Sequence, residues 1–361
     1  VGRPVLIYWL MFAFPSAMAL FERYDDAHPP RFNFPWLVAM LALAVLIGFR
    51  WRTGGDWDNY DRMVEQALWA PKPLTWFSDP GFTLLTAYAA RSRIGVLLIT
   101  VVSGVLMAVT LTVFSLRQPR PWLCLAVAVP YLVVVMGMGY IRQGMAISLL
   151  MMGLGSLRHG NMLRYSAWVF AGSLFHSTAI VLLPLGILVS NRNIVVRGVL
   201  VAAVGVVLVY AIYSARADLY VTNYVDAAMT SSGAAIRLVM TALPGALLLR
   251  FRDRFALSDS ERSVWTALSL AAIGVLGLLL AIPSSTVVDR MGLYLLPLQC
   301  FVCSRLPGAF AADRIGEIIL SAVILALYAA AFFIWLNYAV NVEYWLPYRS
   351  YFFEDGICLA C

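Results

Sequence analysis

The residues that could do chemistry in this chain stand out because apolar sequence surrounds them. Arg50-Trp51-Arg52-Thr53-Gly54-Gly55-Asp56-Trp57-Asp58-Asn59-Tyr60 supplies cations, carboxylates and a glycine pair that reads as flexible. Ser78-Asp79-Pro80-Gly81-Phe82 follows an amphipathic stretch rich in Trp69, Trp76 and Phe77. Tyr140-Ile141-Arg142-Gln143 sets one arginine inside an apolar sequence running from Pro121 to Leu157. Phe175-His176-Ser177 places an imidazole and a hydroxyl in another apolar stretch, and Val288-Asp289-Arg290-Met291 puts an acid and a cation just before one more. An aromatic segment near the end, Glu343-Tyr344-Trp345-Leu346-Pro347-Tyr348-Arg349, completes the set.

A charged side chain at mid-membrane costs about 2.5–3.5 kcal/mol on insertion scales, so groups retained in such surroundings are candidates for function. Guanidinium forks grip phosphate oxygens bidentately. Two or three arginines, a histidine and one or two carboxylates suit a polyprenyl pyrophosphate: the cations neutralise charge as the pyrophosphate departs, and a carboxylate or imidazole accepts the proton of an attacking hydroxyl. Each cluster also has a plainer explanation. The tryptophans can be interface anchors, Arg142 can pair with Asp56 or Asp289 merely to be buried, and His176 can be a satisfied core residue. No acidic pair has metal-ligand spacing, so neither a metal nor another cofactor is expected. The basic excess of 25 arginines and one lysine, Lys72, fits a GC-rich genome and calls for no nucleic acid partner.

The elements that must position these groups follow from composition. Of 361 residues, 62% are hydrophobic and 12% charged, with a mean hydropathy of +0.82. A soluble domain runs at roughly 45–50% apolar and about 25% charged, which excludes a soluble enzyme. The apolar runs lack the alternation of a membrane β-barrel. An all-α, polytopic integral membrane protein is predicted, one domain over residues 1–361 with about 10 transmembrane helices of about 20 residues each. They fall near 4–21, 34–49, 94–116, 121–140, 141–157, 194–214, 235–250, 263–283, 291–305 and 315–338. Ala17-Met18-Ala19 resembles a cleavage site, but the first run reads as a retained span.

The stretch 165–190 is split at Phe175-His176-Ser177 and has arginine on both sides, at Arg158, Arg164, Arg192 and Arg197. Each arm of roughly 12 residues rises about 18 Å, too little for a hydrocarbon core of about 30 Å. A short, re-entrant hairpin with His176 near its tip is predicted. With the N-terminus outside, the short cytoplasmic loops hold 14 of the 26 basic residues, and the polar clusters converge on the outer face. Residues 50–93 then form an outer loop with an amphipathic segment. Residues 215–234, with Asp218, Tyr220, Asn223, Tyr224 and Asp226, form a second outer loop suited to sugars.

On these residues the sequence resembles the EpsG family of Wzy-like bacterial exopolysaccharide and O-antigen polymerases. The matching pieces are Gly55-Asp56 with Tyr60, Asp79-Pro80-Gly81-Phe82, Arg142-Gln143-Gly144-Met145-Ala146, Phe175-His176-Ser177-Thr178-Ala179, Arg290 at a span start, and Pro347-Tyr348. The chain departs from the family pattern in having Asp79 where Glu is common and Gly-Gly-Asp where Gly-Thr-Asp is usual. The resemblance implies an inverting, metal-independent glycosyl transfer of the GT-C kind. The growing chain on undecaprenyl pyrophosphate would move onto the non-reducing sugar of a lipid-linked repeat unit. It also implies an inner-membrane location, a site facing the periplasm or exterior, and a chain-length regulator and a flippase as partners.

The expected catalytic residues are Asp56 as base, His176 and Arg142. Arg52, Tyr60, Asp79, Gln143, Asp289, Arg290 and Tyr348 are expected to bind substrate, Arg142 and Arg290 holding the pyrophosphate with help from Arg52. A polysaccharide ligase shares almost all of this chemistry. A transporter of lipid-linked sugars would need the cations but no base, and a membrane acyltransferase would use His176 as base.

Overall fold

The computed structural model describes residues 5–22, 31–69, 74–75, 78–189, 193–215, 231, 233–281 and 284–352. The regular secondary structure among these residues is helical, and an isolated antiparallel bridge joins Arg50 to Ser350. The stretch 215–234, expected to form an outer loop, and the residues Trp76 and Phe77 lie almost entirely outside the described residues.

The helices are α1 (Leu6–Phe21), α2 (Phe34–Gly48), α3 (Trp57–Trp69), α4 (Pro80–Arg91) and α5 (Val96–Leu116). Next come α6 (Pro121–Ala128), which continues as wider π turns over Val129–Gly137, then α7 (Ile141–Leu157) and α8 (Met162–Phe175). A 3₁₀ stretch, Ser177–Val189, precedes α9 (Ile194–Ala215), α10 (Ala234–Phe251), α11 (Asp259–Leu278), α12 (Ser285–Leu293), α13 (Leu296–Cys303), α14 (Leu306–Phe310) and α15 (Arg314–Tyr338). Several starts are written in the sequence. Asn33 accepts a hydrogen bond from the Trp36 N–H and Pro35 opens α2, while Ser258 and Glu261 form a reciprocal capping box on α11.

Each of the ten predicted apolar stretches carries a helix, but their lengths differ from the prediction. Val96–Leu116, Ala234–Arg254 and Arg314–Tyr338 are long and apolar enough to cross a membrane singly, and α12 with α13, bent by 49°, makes up to one more. Leu6–Phe21, Phe34–Gly48, Pro121–Gly137, Ile141–Leu157, Ser177–Leu188 and Val195–Val207 are shorter apolar stretches; α1, with 16 residues, rises about 24 Å against a hydrocarbon core of about 30 Å.

Burial separates a central layer from a peripheral one. Every residue from Pro121 to Met138 is buried, as is all of α13, because these elements are apolar around their whole circumference. Around them α1 and α15 present outward stripes of Leu6, Leu10 and Phe14, and of Ile315, Ile319, Val323 and Leu327, the faces a lipid solvent covers. Small residues let the layers close: a Cβ on Gly172 would sit 3.0 Å from the Ala146 carbonyl, and one on Gly104 would sit 2.6 Å from the Gly48 nitrogen.

The stretch 162–189 folds back on itself with His176 in an extended conformation at the turn (φ −152°, ψ 105°). The Tyr165 hydroxyl donates to the Leu182 carbonyl at 2.5 Å, which pins the two arms together. Chain direction then sorts the charges between two ends of the bundle. Arg117, Arg120, Arg158, Arg305 and Arg314 gather where α5 and α7 end and α6 and α15 begin, and Arg120 there pairs with Glu317. Asp56, Asp79, Arg142, His176 and Arg290 gather at the opposite end.

Candidate active site

The site is built on a break in the buried central segment. Pro130 has no N–H to continue an α-helical ladder, and the backbone widens into π turns before it kinks at Tyr140 (φ −113°, ψ 65°), the residue that precedes α7. Arg142 and Gln143 therefore fall in the first turn of α7, at the mouth of the break.

The 50–56 loop is pressed onto this break by three contacts. Arg50 is fully buried, and its guanidinium donates to the Thr53 carbonyl at 3.0 Å, the Met138 carbonyl at 2.9 Å and the Ile47 carbonyl. Gly54 has φ +108°, and a Cβ there would lie 2.1 Å from the Met138 oxygen. Its N–H donates to the Tyr344 carbonyl at 2.8 Å. The glycine pair is thus a point of close approach at Gly54, where flexibility was expected from the sequence, and Arg50 is a structural clamp. Their combined effect is to deliver Asp56 to the start of α7.

Asp79 is the hub of the site. It is 1% exposed, precedes Pro80 and adopts the left-handed conformation (φ 53°, ψ 69°), a strained geometry that Asp tolerates better than most residues. Its Oδ2 accepts from Arg142 Nη1 at 3.1 Å and lies 3.6 Å from His176 Nδ1, while Oδ1 accepts the Ser177 N–H at 2.8 Å. Burial alone would raise its pKa; the hydrogen bond and charge of His176, the Ser177 N–H and the Arg142 charge outweigh that and hold it down at about 2. Asp79 is a permanent anion that gathers α4, α7 and the hairpin turn. The expected partners of Arg142 were Asp56 or Asp289; its ion pair is with Asp79.

Asp56 is in the opposite situation. Burial raises its pKa, and the charges of Arg290 and Arg142 and the hydrogen bonds of Asn59 and Tyr60 offset this only in part. The two carboxylates are driven apart in acidity by their surroundings, the pattern that separates acid–base groups from fixed anions. Tyr60, 2% exposed and pushed by burial to about 12, accepts a hydrogen bond from Arg142 and packs on Phe82 at 5.6 Å between ring centroids. Phe82 in turn lies 5.8 Å from the Arg142 guanidinium carbon.

The Arg290 guanidinium carbon lies 5.4 Å from the Tyr140 ring centroid, and Gln143 donates to the Arg290 carbonyl at 2.9 Å, which ties α7 to α12. Among the described residues Arg290 makes no ion pair. Asp289 does not serve Arg142 or Arg290. It takes a bidentate bond from Arg237 on α10, Nε to Oδ1 at 2.8 Å and Nη2 to Oδ2 at 2.7 Å, and accepts from the Ser231 hydroxyl at 2.9 Å. Thr178 and Tyr294 share a hydrogen bond of 2.8 Å, joining the hairpin turn to the end of α12.

The structure thus brings together Asp56, Tyr60, Asp79, Arg142, Gln143, His176 and Arg290, with Asp289 held just behind. Two other candidates stand apart. Tyr348 donates to the Leu46 carbonyl at 2.9 Å and packs edge-on against Tyr8, which anchors the late segment to α1 and α2. Arg52 (φ 44°) stacks on Trp51 at 5.1 Å. Arg237 was missed, although its signal resembles that of Arg142: an arginine in the first turn of an apolar helix whose other cation, Arg250, stands at the far end. No group of three His, Cys, Asp or Glu residues suited to a metal occurs among the described residues.

The arrangement can bind an anion at Arg290 and Arg142 and hold an acceptor proton at Asp56, with Asp79 and His176 fixing Arg142 in place. A family model described as the EpsG family matches residues 33–350. Neither a curated protein nor a solved structure matches the chain.

Proposed function

Since this chain belongs to the EpsG family, we propose that it is a polysaccharide polymerase that moves a growing glycan from undecaprenyl pyrophosphate onto the non-reducing sugar of a lipid-linked repeat unit. EpsG is a Wzy-like polymerase family, so a membrane-embedded polymerase acting on lipid-linked oligosaccharide follows from membership. The donor, the roles of the residues and the inverting, GT-C-type course are this proposal's own.

The observation that carries the reading is the pairing at one mouth of Arg290, which makes no ion pair among the described residues, with Asp56, a carboxylate whose pKa burial raises. In the proposed step the acceptor hydroxyl oxygen attacks C1 of the donor sugar from the face opposite the pyrophosphate. The C1–O bond breaks, the hydroxyl proton passes to Asp56, and the leaving pyrophosphate takes its new charge onto Arg290 and Arg142. Arginine rather than a metal ion supplies the neutralising charge here. Asp79 and His176 position Arg142, Tyr60 supports it, and Gln143 and Asp289 keep Arg290 in register. Placement in a bacterial inner membrane, with the mouth toward the periplasm or exterior, agrees with the gathering of arginines at the other end of the bundle. A flippase and a chain-length regulator are the partners this reading requires.

The test is the lipid-linked glycan profile of cells carrying the wild-type gene, no gene, or Arg142→Ala, with membrane levels of the protein matched. Single repeat units should accumulate, and long polymer disappear, in the second and third strains. Long polymer retained on its carrier would point to a ligase, and normal polymer with altered decoration to an acyltransferase.

A further inference from the structure

We propose that Trp51, Arg52 and Arg349 form a second binding place beside the mouth, which takes a carboxylate-bearing sugar of the glycan. This rests on the polymerase reading for its ligand, and its test is chosen to fail separately.

The guanidinium carbons of Arg52 and Arg349 lie 5.1 and 5.8 Å from the Trp51 ring centroid, so one indole holds two cations. Their backbones are fixed as well. The Trp51 N–H donates to the Arg349 carbonyl at 3.0 Å, the Arg349 N–H to Thr53 Oγ1 at 3.3 Å, and the Tyr351 N–H to the Phe49 carbonyl at 2.9 Å. Arg52 has φ 44°, a conformation unfavourable for an arginine, and the flanking clamp of Arg50 and Gly54 maintains it. Both arginines are exposed.

Two like charges gathered on one partly buried ring repel each other unless an anion joins them. Among the described residues neither guanidinium is ion-paired, and Asp61, whose charge reaches Tyr351, is outside ion-pair range of both. A guanidinium held over a ring keeps N–H groups on its outer side available, and a carboxylate can take such a fork bidentately. The indole also restricts both forks before the ligand arrives. The sugar acid follows from the polymerase reading: Arg52 belongs to the same clamped loop as Asp56, which places the patch along the glycan that this reading puts at the mouth. Arg52 thereby has a role distinct from the pyrophosphate contact expected from the sequence.

The experiment measures binding of a galacturonate trisaccharide, and of its neutral methyl ester, to the purified full chain in detergent at low salt by native mass spectrometry. Wild type should prefer the acid form by about tenfold, and Arg52→Gln with Arg349→Gln together should erase that preference. Arg349→Lys should lose most of it, because the charge stays and the fork is gone. Equal binding of acid and ester, or an unchanged preference in the double variant, overturns the inference. If phosphatidylglycerol retention is what the two variants abolish, the patch is a lipid site and the inference also fails. No turnover is involved, so loss of polymer in Arg142→Ala cells alongside failure here would leave the polymerase reading standing.

Discussion

Arg142 and Asp79 meet at 3.1 Å across 63 residues of sequence, with one partner 2% exposed and the other 38% exposed. The carboxylate is sealed inside while the guanidinium reaches the mouth, so the buried member spends its charge on orienting the accessible one. Substitution of Asp79 by Ala should leave His176 and the Ser177 N–H without their acceptor and lower stability by about 1–3 kcal/mol, since solvent weakens the Arg142 side of the pair. Thermal unfolding in detergent checks this. The folded pKa of Asp79 lies below its ordinary 3.8, so its contribution is complete above that value and fades as pH falls toward about 2. Asp79→Asn should remove that acid-side slope.

Arg290→Ala should abolish polymer while leaving unfolding temperature within a degree or two, because no ion pair among the described residues depends on that guanidinium. Arg290→Lys should restore part of the product, the remaining loss falling on kcat because the fork that takes the leaving group's new charge is gone. A destabilised Arg290→Ala protein would instead mark Arg290 as structural.

Asp56 must be ionised to accept a proton, and burial raises its pKa. Rate should therefore rise with pH through a limb displaced upward from that of an ordinary aspartate. Stopped assays with purified lipid-linked substrate, run across pH, would locate it. Asp56→Asn should remove the limb together with nearly all activity, and a limb unchanged in that variant would rule out Asp56 as the base.

Gly54→Ala brings a methyl group to 2.1 Å from the Met138 oxygen at a φ of +108°. The loop must lift, at a cost of about 1–3 kcal/mol, and Asp56 moves with it. The expected outcome is a folded protein with at least tenfold less polymer. Gly55→Ala, where a Cβ would meet only the Trp345 ring at 3.4 Å, should be far milder.

Sequence reasoning reached the members of the site through one rule, that polar groups surrounded by apolar sequence need a reason. It could not pair them. The contact of Arg142 with Asp79 depends on a left-handed residue before Pro80 and on the hairpin turn that swings Ser177 to Oδ1, and neither conformation is written in residue type. Arg237 satisfied the same rule and was passed over because it stands at the edge of a span, where basic residues are ordinary. Hydropathy located all ten helical stretches but not their lengths, which Pro130, Gly95 and the turns at Tyr140 and His176 set locally. Tyr348 and Arg50 are polar groups serving the backbone, a use that composition does not distinguish from substrate contact.

The clamp on the 50–56 loop has a bearing on when the protein becomes competent during synthesis. Beside the bonds of Arg50, two of its holding contacts, Gly54 to Tyr344 and Trp51 to Arg349, use residues that follow α15, a segment itself seated by the Trp345 indole on the Val134 carbonyl at 2.9 Å. A nascent chain therefore carries Asp79, Arg142, His176 and Arg290 into the bilayer long before Asp56 is secured beside them. Termination before Tyr344 would leave a nearly complete helical body in which Arg50 alone ties the Asp56 loop to the central segment, so residues made after α15 complete the mouth.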